Sequence, residues 1–213
     1  MRIDVFTLVP HAFSWLTEQQ PIAGVLGTEL ELRLFNYRES TPLRAGQVDD
    51  EPYGGGAGMV LRVDVVAAAL EAVYGAERPA RVLALSPKGR PLTQEVVEEL
   101  AGEDELTLLS ARFEGFDERI VSHLATDAIS IGPYVLSNGD LPAMVLVDAI
   151  ARRLPGALAE GSGELESFSP ELGGRLEHPH YTRPAEFRGW RVPDVLLSGD
   201  HARIESWRRE QVR

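Results

Sequence analysis

The 213-residue chain is 44% hydrophobic and 25% charged, carries a formal charge of −12 and contains no cysteine. It is long enough to bury a core; disulfide and thiolate chemistry are excluded, and nucleic-acid binding through a broad positive surface is not expected. The acidity is uneven: residues 1–174 hold 13 basic and 27 acidic side chains and residues 175–213 hold 8 and 6, so any nucleic-acid contact is expected in the C-terminal part. RIDVFTLV (Arg2 to Val9) alternates polar and apolar residues and predicts a strand; Pro10 then opens a short helix carrying Phe13, Trp15 and Leu16. This N-terminus is too short and too interrupted for a signal peptide, and no apolar run approaches the roughly 20 residues that cross a bilayer, so a cytoplasmic location is expected. Glu29 to Tyr37 alternates again as a second strand, and a loop of about 20 residues follows from Arg38, long enough to be functional or mobile. Val63 to Gly75 predicts a helix, Arg81 to Ser86 a buried strand, and Leu92 to Gly102 a helix that Thr93 can cap. A strand (Leu106 to Ala111), a helix (Asp117 to Ala125), a strand (Asp127 to Gly132) and an apolar helix (Leu141 to Leu154) complete the pattern. Strands alternating with helices predict an α/β fold, a parallel sheet covered on both faces, over residues 1–156. Residues 157–174 read as a flexible, Gly/Ser/Glu-rich linker, and 175–213 as a third region ending in a helix that Asp200 caps.

EPYGGGAGM (Glu51 to Met59) places four glycines in five positions. A Walker loop would continue Gly-Lys-Ser/Thr, whereas Gly58 is followed by Met59 and Val60; a dinucleotide fingerprint would sit at the first strand-to-helix turn. Both are excluded. LSPKGR (Leu85 to Arg90), ARFEGFDER (Ala111 to Arg119) and IGPYVLSNGDLPA (Ile131 to Ala143) each follow a predicted strand. Three loops at one edge of a parallel sheet form the crevice where such folds bind ligands. The histidines show no metal-ligand spacing, so no metal site is expected from the residues themselves.

VDDEPYGGGAGM, LSPKGR, RFEGFDERI, SIGPYVLSNGDLPA, HPHYTRP and VPDVLLSGDHARIESWR occur in the same order as in bacterial tRNA (guanine-N1)-methyltransferases of the TrmD type, SPOUT-superfamily enzymes that the chain resembles from FTLVP to Trp207-Arg208. The resemblance implies a C-terminal trefoil knot in the α/β domain and a cytoplasmic homodimer with its active site between subunits. It implies S-adenosylmethionine as methyl donor, wrapped by Leu85, Ser86 and Pro87, by Ala111, Phe113, Glu114 and Gly115, and by Ile131, Gly132, Pro133, Tyr134, Val135, Leu136, Asn138 and Gly139. The loop of Tyr53, Gly54, Gly55, Gly56 and Gly58 would border the cleft for donor and tRNA, and His180, Tyr181 and Arg183 would meet tRNA. The implied reaction methylates N1 of the guanosine immediately 3′ of the anticodon, and the family is thought to use Mg²⁺, for which Glu114 is a lone carboxylate.

Neutral guanine holds a proton on N1, so the chemistry asks for a base there and a cation at O6. Arg152 matches the family's cation, with Arg153 as the helix-end neighbour. The base matches Glu166, in ESF where the family has Asp-Ser-Phe; Glu171 and Glu164 are reserves. The extra methylene moves the carboxylate by about 1.5 Å, and a misplacement of about 1 Å can cost on the order of 100-fold in rate. Ala111, Pro133 and Asn138 also depart from the family pattern, and the C-terminal region is shorter than is usual there. Two alternatives stand beside this reading: a donor- and tRNA-binding protein with impaired catalysis, and a SPOUT methyltransferase acting on another RNA position.

Overall fold

The computed structural model describes residues 1–77, 79–159, 162 and 166–213, which form two compact units, Met1–Leu158 and Ala159–Arg213. The first unit is built on strands β1 (Arg2–Thr7), β2 (Glu31–Asn36), β5 (Val82–Pro91), β6 (Glu105–Leu109) and β7 (Asp127–Ser130), hydrogen-bonded in the order β2-β1-β6-β5-β7. Every pairing is parallel, as alternation of strands with helices requires. One face of the sheet packs on α1 (Ser14–Glu18), α2 (Ile22–Val25), α5 (Gln94–Ala101) and α6 (Asp140–Ala151), through Phe13, Leu16, Leu100, Leu146 and Ile150. The other packs on α3 (Tyr37–Ser40) and α4 (Val63–Tyr74), through Phe6, Tyr37, Val65 and Val66.

β1 lies inside the sheet, between β2 and β6, and is buried along nearly its whole length, although its alternating sequence reads as half-solvated. The reason is Asp4. Its carboxylate, 1% exposed, accepts Arg33 Nε at 2.7 Å and Nη2 at 2.6 Å and the Tyr74 hydroxyl at 2.6 Å. A charge can be buried when it is paired and hydrogen-bonded. Burial, and then the bond to Asp4, hold the Tyr74 hydroxyl well above the ordinary tyrosine pKa.

Three elements differ from expectation. The long loop after β2 carries α3, a 3₁₀ turn and a two-residue antiparallel ribbon, β3 (Asp49–Asp50) with β4 (Val60–Leu61), whose far end is the glycine run. Two-residue strands leave no periodicity to read. The helix expected over Asp117–Ala125 is present over residues 118–124, but with π-type bonding over Ile120–Leu124. The Asp117 carboxylate accepts the Arg119 N–H at 2.9 Å, as a helix N-cap does, and the π character comes from the Ala125 N–H closing on Ile120 C=O at 2.8 Å. β5 runs on to Pro91 because, after an irregularity between Leu85 and Arg90, it rejoins β7. Trp15 turns outward, 63% exposed, while Phe13 and Leu16 enter the core.

The second unit holds a hairpin, β8 (Glu186–Phe187) with β9 (Trp190–Arg191), then α7 (Asp194–Leu197) and α8 (His201–Gln211). Asp200 caps α8 as expected, accepting the Arg203 N–H at 3.1 Å.

Candidate active site

At the C-terminal edge of the sheet, the chain leaving β5, β6 and β7 encloses a cavity of about 350 Å³. The three loops singled out in the sequence line it together: Leu85, Ser86 and Pro87; Ala111, Phe113, Glu114 and Gly115; Ile131, Gly132, Tyr134, Val135, Leu136, Asn138 and Gly139. Pro133 does not line it. The Tyr134 N–H bonds back to the Gly132 carbonyl at 2.9 Å, leaving Pro133 at the apex of a tight turn. Leu85 and Ala111 form a buried floor, while Phe113, Tyr134 and Val135 stand exposed. Lining residues passed over in the sequence include Lys88, Arg112, Phe116, Glu118, Val121 and Ser137; most sit inside motifs already noted, so position in those loops was the available signal.

Local geometry is set by close backbone approach. The Gly139 N–H donates to the Ala111 carbonyl at 2.8 Å, and a Cβ on Gly139 would stand 3.0 Å from Ala111 N and Ser110 Cα. Phe113 adopts φ +61°, unusual for a residue with a side chain and worth on the order of 1–2 kcal/mol of strain.

The glycine run meets the site through its last member. Backbone bonds join Glu114 N–H to Met59 C=O at 2.9 Å and Leu61 N–H to Gly115 C=O at 3.0 Å. Gly58, at φ +84°, lies where the Glu114 side chain would collide with any Cβ. Gly54 and Gly55 have positive φ but open space around them, and Tyr53 is fully exposed. The run thus combines turn-making glycines at its tip with one close-packing glycine at its base.

Behind the cavity lies a buried polar cluster with no counterpart in the sequence reading. Asp140, in the first turn of α6, accepts the hydroxyls of Thr7 and Ser110, both at 2.6 Å on Oδ1. The Tyr37 hydroxyl faces the Ser110 backbone without a hydrogen bond of normal geometry; burial, and then the Asp140 charge, raise its pKa well above the ordinary value.

The candidate catalytic residues fall in different units. Arg152 follows α6 at its C-terminal cap, donating its backbone N–H to Asp148 C=O at 3.2 Å, whereas Arg153 ion-pairs with Glu98 of α5 at 2.8 Å. Glu166 belongs to the second unit, its carbonyl accepting the Ser169 N–H at 3.0 Å. The neighbouring Ser167 hydroxyl donates to Glu177 Oε1 at 3.2 Å, and Glu177 Oε2 lies 2.6 Å from His180 Nε2. The bond from His180 holds the Glu177 carboxyl below its ordinary range. Glu171 is in a short exposed 3₁₀ turn, and Glu164 lies outside the described residues. Tyr181 is half-exposed against the Trp207 ring, and Arg183 is exposed. The hairpin adds an exposed aromatic pair, Phe187 and Trp190, with Arg188 over the Phe187 ring.

Among the described residues no three His, Asp or Glu side chains converge as a metal site, and no helix is long and apolar enough to cross a membrane.

The family model for tRNA (Guanine-1)-methyltransferase TrmD matches residues 1–213. A tRNA (guanine-N(1)-)-methyltransferase of Brevibacillus brevis is 49% identical over 213 residues, covering 99% of this chain and 86% of that protein. Proteins of the same name from Dehalococcoides mccartyi and Bacillus cereus are 47% and 46% identical, each over 99% of this chain, and 85% and 86% of those proteins are covered. With a match along its whole length, the chain belongs to the TrmD family of tRNA (guanine-1)-methyltransferases.

Proposed function

We propose that this protein transfers a methyl group from S-adenosylmethionine to N1 of the guanosine immediately 3′ of the anticodon in tRNA. The observation that carries the reading is the convergence of the three motif loops on one cavity in a chain that matches the family throughout. The cavity fits a donor of this kind: an apolar floor at Leu85 and Ala111, backbone amides and carbonyls along three loops, and polar ends at Ser86, Glu114 and Asn138. When bound, the sulfonium supplies an activated methyl group. Glu166 would take the N1 proton and Arg152 would stabilise the negative charge that develops on O6, so that N1 could accept the methyl group. The loops align the two reactants, which is the remaining requirement. Were Mg²⁺ to take part, Glu114 is the cavity carboxylate that would hold it, with water completing the ion's shell.

The protein acts as a cytoplasmic homodimer in this reading, with donor and base contributed by different chains. Leu141 and Val145, one turn apart on α6, are exposed apolar side chains that a second copy would cover. The loops around β5 and β7 form a trefoil knot; in support, β5 meets β7 both before and after its irregularity, and Gly89 packs against the Ala128–Ile129 backbone. Residues 157–174 link the donor domain to a tRNA-contacting region in which His180, Tyr181 and Arg183 meet the substrate, the tyrosine by stacking and the arginine at phosphate.

Labelled S-adenosylmethionine and unmodified tRNA, with nucleoside mass spectrometry, test the reading. The parent should form 1-methylguanosine, and Glu166→Gln and Arg152→Ala should each lower the rate by about 100-fold or more. A different modified nucleoside, or undiminished turnover in Glu166→Gln, would overturn the assignment.

A further inference from the structure

Two of the three donor loops are joined at their roots by adjacent bonds. Gly139 N–H donates to Ala111 C=O at 2.8 Å, and one residue earlier and later the Ser110 hydroxyl donates to Asp140 Oδ1 at 2.6 Å. Asp140 also receives its own backbone constraint, its N–H donating to Asn138 Oδ1 at 2.9 Å. Ser110 and Asp140 are 1% and 3% exposed, so these bonds do not compete with water. The same Oδ1 accepts Thr7, but that bond runs to the end of β1, a segment that does not line the cavity. One carboxylate therefore makes two bonds of equal length and burial, one between the donor loops and one away from them. Asp140 sits in the first turn of the twelve-residue α6.

We infer that Asp140 is a positioning residue for the methyl donor: through Ser110 it fixes the spacing between the Ala111–Gly115 and Ile131–Gly139 walls of the cavity. This rests on the reading of that cavity as the donor site. Among the described residues, loss of the Ser110–Asp140 bond leaves the Gly139 N–H on Ala111 C=O as the direct hydrogen bond between the roots, and the walls present their backbone groups at a less fixed separation. The Thr7 bond is the comparison: it ties the same carboxylate to β1, and reaches the Ala111 wall only through the strand, by the Ser110 N–H on Phe6 C=O at 2.9 Å.

The test compares Ser110→Ala with Thr7→Val, each in the full chain, reading melting temperature, calorimetric Kd for S-adenosylhomocysteine, and donor KM against kcat. Both variants remove a buried hydroxyl from Asp140 and should lower the melting temperature. Ser110→Ala alone should weaken S-adenosylhomocysteine by about 10-fold, within the usual range for coupling between structural elements, and raise donor KM similarly while kcat at saturating donor changes little. Asp140→Asn, which keeps an acceptor at the Oδ1 position, should bind more tightly than Ser110→Ala. Unchanged affinity in a folded Ser110→Ala protein would overturn the inference. So would equal weakening in Thr7→Val, since that is the behaviour of a purely structural cluster. A parent that fails to bind S-adenosylhomocysteine would instead overturn the donor-site reading itself.

Discussion

Gly58→Ala should damage both stability and donor binding, and Gly55→Ala only the first. Both glycines have positive φ, +84° and +78°, so a side chain costs about 1 kcal/mol at either position. Around Gly55 nothing lies within 4 Å, and the penalty ends there. At Gly58 the new Cβ would stand 2.5 Å from Glu114 Cγ and 2.8 Å from Cδ. The Glu114 backbone cannot retreat freely, because its N–H is bonded to Met59 C=O. Its side chain must therefore leave its rotamer, adding roughly 0.5–1.5 kcal/mol. The sum, about 2 kcal/mol, corresponds to a fall of about 4–8 °C in melting temperature for a chain of this size, against about 2–4 °C for Gly55→Ala. Glu114 lines the cavity, and loss of a charged hydrogen bond there would weaken S-adenosylhomocysteine by about 10-fold. Calorimetric titration and thermal unfolding of the two variants side by side measure both quantities. Equal effects on stability and affinity would refute the special place given to Gly58.

Arg33→Met should destabilise the first unit by about 2–4 kcal/mol, because Asp4 stays buried with the Tyr74 hydroxyl and the Arg2 side chain at 3.5 Å as its remaining partners. Adding Asp4→Asn should recover part of that loss in denaturant unfolding; no recovery would show that the pairing is not the cause. Stability should also depend on pH through His178. Burial, then the positive charges of His180 and Arg208, lower its pKa from the ordinary 6.5, with Glu177 and Glu205 opposing. A depressed folded pKa means the unfolded chain binds the proton more readily. The contribution is complete above the ordinary value and is lost as pH falls through the folded one, so melting temperature should decline between about pH 7 and pH 5. His178→Gln should flatten that decline, and an unaltered profile would remove His178 as its source.

The parallel sheet, most helices and the three cavity loops could be read along the chain because their signals are local. Periodicity marks β2 and α4, Thr93 and Asp200 announce their helices by capping, and Pro, Gly and Asn mark the turns after β5, β6 and β7. The family resemblance, not any local pattern, singled out Arg152 and Glu166 from their neighbours as the residues proposed for the chemistry. The relations between distant segments were not legible. Asp4 reads as the polar half of an alternating strand until Arg33, 29 residues away, arrives to neutralise it. Asp140 reads as an ordinary first-turn acid until Thr7, 133 residues away, and Ser110 converge on it. The glycine run announces only that the backbone is free; which glycine is indispensable depends on where Glu114 comes to rest. Propensity and capping act within a few residues and are written in order along the chain. Buried charge, close backbone approach and the walls of a cavity exist only once non-local strands have paired, and folding alone brings those partners together.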